Sequence, residues 1–372
     1  MMTNTTHLTV MIMAGGTGGH VFPALAVADV LRKRTVQVEW LGTPRGIENS
    51  VVPAANIRLH HIHVKGVRGH GVLGLLKAPF LIVLAVVQAI IIFKKVKPDL
   101  VIGFGGFVSG PGGVAAKILG KPLIIHEQNA VAGTTNRLLA KIANRVLMAF
   151  QGAFKQSPAI AQNKIIAVGN PVRHSIAALA EPLVRYNART QLKEPLHLLV
   201  LGGSLGAQAI NKIVPEALAQ LPADVCPSVW HQAGKNHIES TIALYMKQQI
   251  NAKVDTFIED MSVAYAWADI IVCRAGALTV SELMTAGVAA VLIPLPTAID
   301  DHQTHNAAIL TRANAAVAIA QQDLTAEKLA TLLLTTLLDR TYLQTLATNA
   351  RTLALPLASE TVADICMEMA SE

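Results

Sequence analysis

A histidine follows a glycine-rich loop near the start of the chain, in the string AGGTGGH at residues 14–20. Glycines let a backbone approach a ligand closely, and a helix that starts there presents free N–H groups to an anion. The imidazole of His20, at the edge of this loop, can act as a general base. A tight turn beside a structural histidine is the alternative that these residues leave open.

A second glycine loop, LGGSLGA at residues 201–207, opens the second half of the chain in the same way. The Ser204 hydroxyl and the loop amides can cradle a phosphate, and this interpretation accounts for both loops together. The spacing Gly202-x-Ser204-x-Gly206 also matches the nucleophile elbow of α/β-hydrolases, so a serine hydrolase is a rival hypothesis. The first loop completes neither the dinucleotide fingerprint nor a Walker A motif, which argues against an NAD-dependent enzyme.

A third string, RAGALTVSE at residues 274–282, follows a predicted strand. Thr279 can cap the helix that comes next, and the amides of that helix can face a phosphate. The Glu282 carboxylate can accept hydrogen bonds from a ribose diol, as acidic residues do in nucleotide sites. At its i, i+3 spacing Glu282 can equally be the capping-box partner of Thr279, and the residues do not decide between the two.

Two further polar strings lie beside predicted strands. HEQN at residues 126–129 ends a strand, where α/β sheets place ligand groups, and His126 and Glu127 are candidate acid–base groups. The loop at residues 103–110 ends the preceding strand and can lie on the same rim; a capped turn is the alternative for HEQN. DDHQTHN at residues 300–306 can hold a metal, although a helix cap and ligand loop is favoured.

Composition and charge restrict the classes of function. The 372 residues are 52% hydrophobic and 15% charged, which excludes a disordered chain and a coiled coil. A net charge of +7 favours a polyanionic partner, either a phosphate-bearing substrate or an anionic membrane surface. No nucleic-acid partner is predicted, because the basic residues are dispersed and few aromatic residues are interleaved with them.

An apolar segment at residues 78–93 carries no charged residue and is followed by Lys94, Lys95 and Lys97. It is shorter than the roughly 20 apolar residues that a membrane-spanning helix needs. A buried helix and a helix that dips one face into a bilayer surface both remain open. The basic string KGVRGH at residues 65–70 suits an anionic bilayer surface or a pyrophosphate, with a solvated loop as the alternative.

Short β-branched runs alternate with segments of helical periodicity along almost the whole chain, which predicts parallel βαβ units. We expect helices at residues 22–34 and 207–221, and strands at residues 8–13, 36–41, 57–63, 100–103, 123–126, 145–149, 196–201, 229–232, 253–258, 270–273 and 289–293. Each half opens with a strand, a glycine loop and a helix. The predicted fold class is therefore α/β, with two Rossmann-like doubly wound domains facing a central cleft.

These strings, in their order and spacing, closely resemble the MurG family of bacterial glycosyltransferases from about Thr9 to the end of the chain. The resemblance is carried by AGGTGGHVFPALAVA, GFGGFVSGPGG, HEQNAVAG, GNPVR, LGGSLGA, FIEDM, YAWAD, CRAGALTVSE and DDHQTHNA. It implies the two-domain GT-B glycosyltransferase architecture. Residues 1–171 would form the acceptor and membrane-docking domain, residues 172–357 the donor-binding domain, and residues 358–372 a helix that returns to the first domain.

The resemblance also implies a reaction. N-acetylglucosamine (GlcNAc) would pass from UDP-GlcNAc to the 4-hydroxyl of the muramyl sugar in lipid I, forming lipid II in peptidoglycan synthesis. The configuration at the anomeric carbon would invert. Neither a cofactor nor a metal ion is implied. A UDP-sugar 2-epimerase, which shares the architecture and the donor but needs no lipid acceptor, is the alternative.

The resemblance assigns roles to individual residues. His20 would be the catalytic base, and Asn129 would contact the sugar. Arg173 and Ser204 would stabilise the diphosphate, while Ile258 would contact the uracil through its backbone and Glu282 would bind the ribose. The full implied donor site comprises Thr17, Gly18, Gly19, Asn129, Arg173, Ser204, Ile258, Ala277, Leu278, Thr279, Val280, Ser281, Glu282 and Gln303.

The family resemblance finally implies a location, as a peripheral protein on the cytoplasmic face of the inner membrane. The anchor would be residues 72–93, from Val72 to Phe93, with the lysine and arginine residues that flank them. Proteins of cell-wall synthesis or cell division are candidate partners. Phe107 occupies a position where relatives often carry tyrosine, so it is assigned no hydroxyl chemistry.

Overall fold

The computed structural model describes residues 8–64, 71–155, 157, 160–192, 195–203, 206–296 and 301–371, with the backbone alone at residues 71–78, 192, 337 and 338. The described residues pack into two compact units. One unit comprises the chain up to Arg173 and again from Leu355, and the other comprises His174–Ala354. The sequence analysis placed these boundaries after residue 171 and after residue 357. The predicted string at residues 65–70 lies outside the described residues.

The first unit is built on a seven-stranded parallel sheet with the order β3-β2-β1-β4-β5-β6-β7. Its central strands are buried on both faces, as parallel sheets covered by helices require. The strand order reverses beside β1, which is the switch point where doubly wound sheets bind ligands. The strands are β1 (Thr9–Ala14), β2 (Gln37–Gly42), β3 (Arg58–His61), β4 (Leu100–Gly105), β5 (Leu123–Glu127), β6 (Arg145–Met148) and β7 (Ile165–Ala167).

Helices cover this sheet, and the last helix of the chain is one of them. They are α1 (Gly18–Lys33), α2 (Glu48–Ala54), α3 (Gly71–Val96), α4 (Ser109–Ile118), α5 (Thr134–Leu139) and α15 (Ala358–Ser371). Val362, Cys366 and Met369 of α15 are buried in the same hydrophobic cluster as Val27 and Leu31 of α1. The C-terminal helix therefore completes the core of the first unit.

The second unit repeats the plan with a six-stranded parallel sheet in the order β10-β9-β8-β11-β12-β13. Its strands are β8 (His197–Leu201), β9 (Ser228–Gln232), β10 (Ala252–Asp255), β11 (Ile270–Cys273), β12 (Ala289–Leu292) and β13 (Val317–Ala318). Its helices are α6 (His174–Ala177), α7 (Pro182–Leu192), α8 (Gln208–Leu218), α9 (Ile238–Lys247), α10 (Met261–Trp267), α11 (Ala277–Ala286), α12 (His302–Arg312), α13 (Ala326–Leu338) and α14 (Arg340–Thr352).

The strands predicted from the sequence are confirmed to within three residues at each end. Sequence analysis missed β7 and β13, which have only three and two residues and lie at the outer edges of their sheets. The predicted start of the first helix at residue 22 is wrong. That helix begins at Gly18, so the glycines and His20 form its first turn.

The helix α3 is longer than the apolar run that predicted it. One stripe of small and aromatic residues, Ala85, Ala89 and Phe93, is buried against the sheet. On the other side of the helix, Phe80 and Ile91 are 72% and 62% exposed. By length and composition the segment Pro79–Val96 can cross a membrane, yet 22% of it is buried in the protein. The structure thus shows a helix with one face buried and an apolar face exposed.

Candidate active site

The first glycine loop is held in place by a buried carboxylate that the motifs did not reveal. Glu48 of α2 is fully buried, and its carboxylate accepts hydrogen bonds from the Gly16 N–H and from the N–H and hydroxyl of Thr43, at 2.8–2.9 Å. A Cβ atom on Gly15 would lie 2.7 Å from this carboxylate. The loop therefore needs glycine because it packs directly on Glu48.

His20 lies in the first turn of α1, directly after this loop. Its Nδ1 atom is 3.2 Å from the Oε1 atom of Gln128, in the segment after β5. Gly105, at the end of β4, closes over the same imidazole with a φ of +103°. The Nδ1 side of the ring is therefore held between the ends of β4 and β5.

Replacing Gly105 with alanine tests this close approach. A Cβ atom there would lie 2.7 Å from His20 Nδ1, in a backbone conformation that alanine rarely adopts. We expect Gly105→Ala to destabilise the protein by about 1–3 kcal/mol and to lower activity by displacing the imidazole. Gly120→Ala is the matched control, because Gly120 has a φ of +65° but no heavy atom within 4 Å of the added Cβ. Equal activity loss in both variants would contradict the proposed contact.

His126 does not meet the expectation that it is an acid–base group. It is fully buried, and its Nε2 atom donates to the Gly169 carbonyl at 2.9 Å. Burial lowers the pKa of His126 to about 4, because the charged imidazolium is poorly solvated there. It therefore remains neutral near pH 7 and cannot reach a substrate, so the sequence-based hypothesis for His126 is wrong.

Glu127 is likewise engaged inside the protein rather than presented to a substrate. Its buried carboxylate accepts four hydrogen bonds, from the backbone N–H and side-chain amide of Asn129, the Gly133 N–H and the Asn136 amide, at 2.8–3.0 Å. All four partners donate, so both carboxylate oxygens are used as acceptors inside the protein. These bonds favour a capped turn, the alternative given for HEQN, over an acid–base role for Glu127, and they make Glu127 a positioning residue. What it positions is Asn129, the predicted sugar contact.

Arg173 is the last residue of the first unit's N-terminal stretch and lies next to α1. Its guanidinium lies over the ring of Phe22, 5.6 Å from the centroid. Phe22 is two residues beyond His20 on the same helix, and its ring also packs on Gly18, where a Cβ would lie 2.8 Å away. The helix thus brings Thr17, Gly18, Gly19, His20 and Arg173 into one part of the unit.

The second glycine loop is described only in part, and Ser204 lies outside the described residues. Gly203 and Gly206 both have positive φ values, of +74° and +79°. A Cβ on Gly206 would lie 2.6 Å from the Ala233 carbonyl, so the loop is pressed against the end of β9. The helix α8 begins directly afterwards with no side-chain cap at Ala207, so no cap side chain competes for its N-terminal amides, the kind of group that binds anions.

Ile258, the predicted uracil contact, is nearly fully buried. Its N–H donates to the side-chain oxygen of Gln232, at 2.8 Å. A contact between uracil and this residue would therefore use the Ile258 carbonyl, or would displace Gln232. Gln232 is a residue of this region that sequence reasoning missed.

Of residues 277–282, the first three are half-buried and the last three are buried. Ala277, Leu278 and Thr279 form the half-buried first turn of α11, whose cap is Gly276, so the prediction that Thr279 caps this helix is wrong. Val280, Ser281 and Glu282 are buried, and Val280 packs with no exposed surface. Glu282 accepts a hydrogen bond from the Tyr265 hydroxyl at 2.9 Å. Because the N-cap of α11 is Gly276 and not Thr279, Glu282 is not a capping-box partner of Thr279. The structural alternative that its i, i+3 spacing suggested is therefore wrong.

Gln303 ties together the ends of two neighbouring strands. Its side-chain oxygen accepts hydrogen bonds from the N–H groups of Ala275 and Leu295, at 3.2 and 2.9 Å. Its amide nitrogen is left as the group that can donate to a ligand. His302 and His305 lie in the first turn of α12, and within the described residues no group of three or more His, Cys, Asp or Glu side chains can hold a metal ion.

Two parallel doubly wound units, each with a glycine loop after its first strand, define the GT-B class of glycosyltransferases. Models of the N-terminal and C-terminal domains of glycosyltransferase family 28 match residues 10–148 and 197–365. The chain belongs to this family, and within it to the MurG enzymes.

The relatives match nearly the whole chain. A protein of Cellvibrio japonicus (strain Ueda107), named UDP-N-acetylglucosamine--N-acetylmuramyl-(pentapeptide) pyrophosphoryl-undecaprenol N-acetylglucosamine transferase, is 65% identical over 98% of this chain and 99% of its own. A protein of the same name from Pseudomonas entomophila (strain L48) is 54% identical over 97% and 98%. The crystal structure of MurG from Acinetobacter baumannii superimposes with a TM-score of 0.79, at 43% identity over 97% of this chain and 99% of that one.

Proposed function

We propose that the protein transfers GlcNAc from UDP-GlcNAc to the 4-hydroxyl of the muramyl sugar of lipid I, forming lipid II for peptidoglycan synthesis. The observation that carries this proposal is the 65% identity to a transferase of that name across both chains. The epimerase alternative is not favoured, because the similar proteins carry the name of the transferase.

The acceptor reaction needs a base, and we assign this role to His20. As the 4-hydroxyl oxygen attacks the anomeric carbon of the donor, the imidazole takes its proton. The bond from that carbon to the phosphate oxygen breaks at the same time, and UDP leaves with the electron pair. Attack from the face opposite the leaving group inverts the configuration.

The departing UDP carries negative charge that the protein must stabilise. The N-terminal amides of α8 and α11 are suited to this, because neither helix has a side-chain cap that competes for them. Arg173 and Ser204 supply a positive charge and a hydroxyl to the same diphosphate. The carboxylate of Glu282 binds the ribose, the Ile258 backbone binds the uracil, and Asn129 and Gln303 bind the sugar.

Transfer of label tests the proposal directly. Purified protein is incubated with UDP-GlcNAc labelled in the sugar, with and without lipid I, and the butanol-soluble lipid is counted. Label should enter the lipid only when lipid I is present, and UDP-GlcNAc should stay unchanged without it. Conversion of UDP-GlcNAc to its 2-epimer in the absence of lipid I would instead establish the epimerase.

The exposed face of α3 supports a second part of the proposal, that the protein docks on the cytoplasmic surface of the inner membrane. Seven apolar side chains of this helix are more than a third exposed: Phe80, Leu81, Ile82, Val83, Leu84, Val87 and Ile91. Exposed lysines, Lys94 and Lys95, follow at its C-terminal end. An apolar face beside basic residues suits an anionic bilayer surface.

Removing apolar surface from this helix should weaken vesicle binding. We expect the triple variant Phe80→Ser, Val83→Ser and Ile91→Ser to bind phosphatidylglycerol-containing vesicles about 10-fold or more weakly, because less apolar area enters the bilayer. Co-sedimentation measures the effect. Leu183→Ser, Val184→Ser and Met246→Ser, at side chains 57–72% exposed on the second unit, form the matched control and should bind normally. Equal loss in both triples would contradict docking through α3.

A further inference from the structure

We infer that Gln128 and His126 form a hydrogen-bond relay that fixes the tautomer of His20, protonated on Nδ1 and with a bare Nε2. This inference rests on the proposed function, since it specifies which atom of His20 removes the acceptor proton. Three side chains and two backbone carbonyls carry it, and every link is observed in the first unit.

The orientation of the Gln128 amide is determined by its surroundings. One side of the amide lies 2.7 Å from the Phe104 carbonyl oxygen, which only accepts hydrogen bonds. The nitrogen, as the donor, must therefore be on that side. The opposite atom, 3.2 Å from His20 Nδ1, is then the amide oxygen.

The next link determines the state of His126. Its Nε2 faces the Gly169 carbonyl at 2.9 Å and must carry a proton to donate there. Its Nδ1 is 3.2 Å from the Gln128 amide nitrogen and accepts that group's second proton. The His126 carbonyl oxygen also lies 3.3 Å from the same amide nitrogen. Both protons of the Gln128 amide are therefore engaged, one by Phe104 and the other by the two acceptors of the neutral His126.

The chain of donors ends at His20. Gln128 can only accept there, so His20 Nδ1 must donate, and in the neutral ring Nε2 keeps the lone pair that a general base needs. Gln128 and His126 are both buried, and thus act through His20 rather than on a substrate. They are positioning residues, and the backbone carbonyls of Phe104 and Gly169 anchor the relay.

The tautomer of His20 is measured by the 15N NMR chemical shifts of its ring nitrogens, in protein labelled with ring-15N histidine. The resonances of His20 are identified by their loss in His20→Gln. In the wild type, Nδ1 should show the shift of a protonated ring nitrogen and Nε2 that of a bare one. The reverse pattern in the wild type would overturn the relay.

Kinetics of Gln128→Met provide the second readout. Loss of the acceptor should change the His20 ring shifts and lower kcat about 10- to 100-fold, with an unchanged KM for UDP-GlcNAc. Gln37→Met is the control, because Gln37 bonds to Glu39 and lies outside the relay. Unchanged ring shifts and kcat in Gln128→Met would overturn the inference. A His20 protonated on Nδ1 in a protein that transfers no sugar would support the relay and overturn the proposed function instead.

Discussion

His20→Ala is expected to lower kcat for sugar transfer by about 10²- to 10⁴-fold, the usual contribution of a positioned general base. The KM for UDP-GlcNAc should change little, because the loop that precedes His20 is held by Glu48 and not by the imidazole. Steady-state transfer of label into butanol-soluble lipid measures both constants. The loss should persist at every pH, because alanine cannot titrate.

His61→Ala is the matched control for this variant. His61 is an exposed histidine of the same unit, and its only described side-chain hydrogen bond is to Asn49. Its replacement should leave transfer unchanged. Transfer by His20→Ala at the wild-type rate would assign the proton abstraction to another group.

The sequence predicted the parts of the site that glycines and strand ends mark. The four glycines among residues 15–19 indicate a close backbone approach, and His20 follows them directly. The polar string HEQN at the end of β5 predicts residues that face a ligand, because parallel strands end at one edge of the sheet. These signals are local in the chain, so short windows of sequence contain them.

The residues that hold the site in place could not be predicted in this way. Gln128 meets His20 across 108 positions of sequence, and Glu48 meets Gly16 across 32. Nothing in the local spacing around Glu48 or Gln128 indicates these partners, because the sheet order alone brings them together. For the same reason the sequence suggested His126 and Glu127 as acid–base groups. Their burial and their hydrogen-bond partners cannot be predicted from the string HEQN.

Helix starts were the other source of error, at Gly18 and at Ala277. In both cases glycine beside the helix was interpreted as loop, and Thr279 was taken as the cap because threonine is a favoured N-cap residue. Neither helix has a side-chain cap. An uncapped N-terminus leaves its amides for a ligand, so the absent caps are consistent with the phosphate-binding role proposed for α11.

Glu127→Gln should produce the largest loss of stability at the site. An amide can keep the two hydrogen bonds to Asn129 but would turn its own N–H groups towards the donors of Gly133 and Asn136. We expect the free energy of unfolding of the first unit to fall by about 2–4 kcal/mol. Transfer should also weaken, because the loop that carries Asn129 is released.

The measurement is denaturant unfolding followed by the fluorescence of Trp40, in a background with Trp230→Phe and Trp267→Phe. Trp40 is fully buried in the first unit and donates to the Ala14 carbonyl at 2.8 Å, so it reports on the strand that leads into the glycine loop. Glu368→Gln, at an exposed position of α15, is the control and should change stability by less than about 0.5 kcal/mol. A Glu127→Gln protein of normal stability with abolished kcat would contradict the positioning role, because only a carboxylate that takes part in the reaction gives that combination.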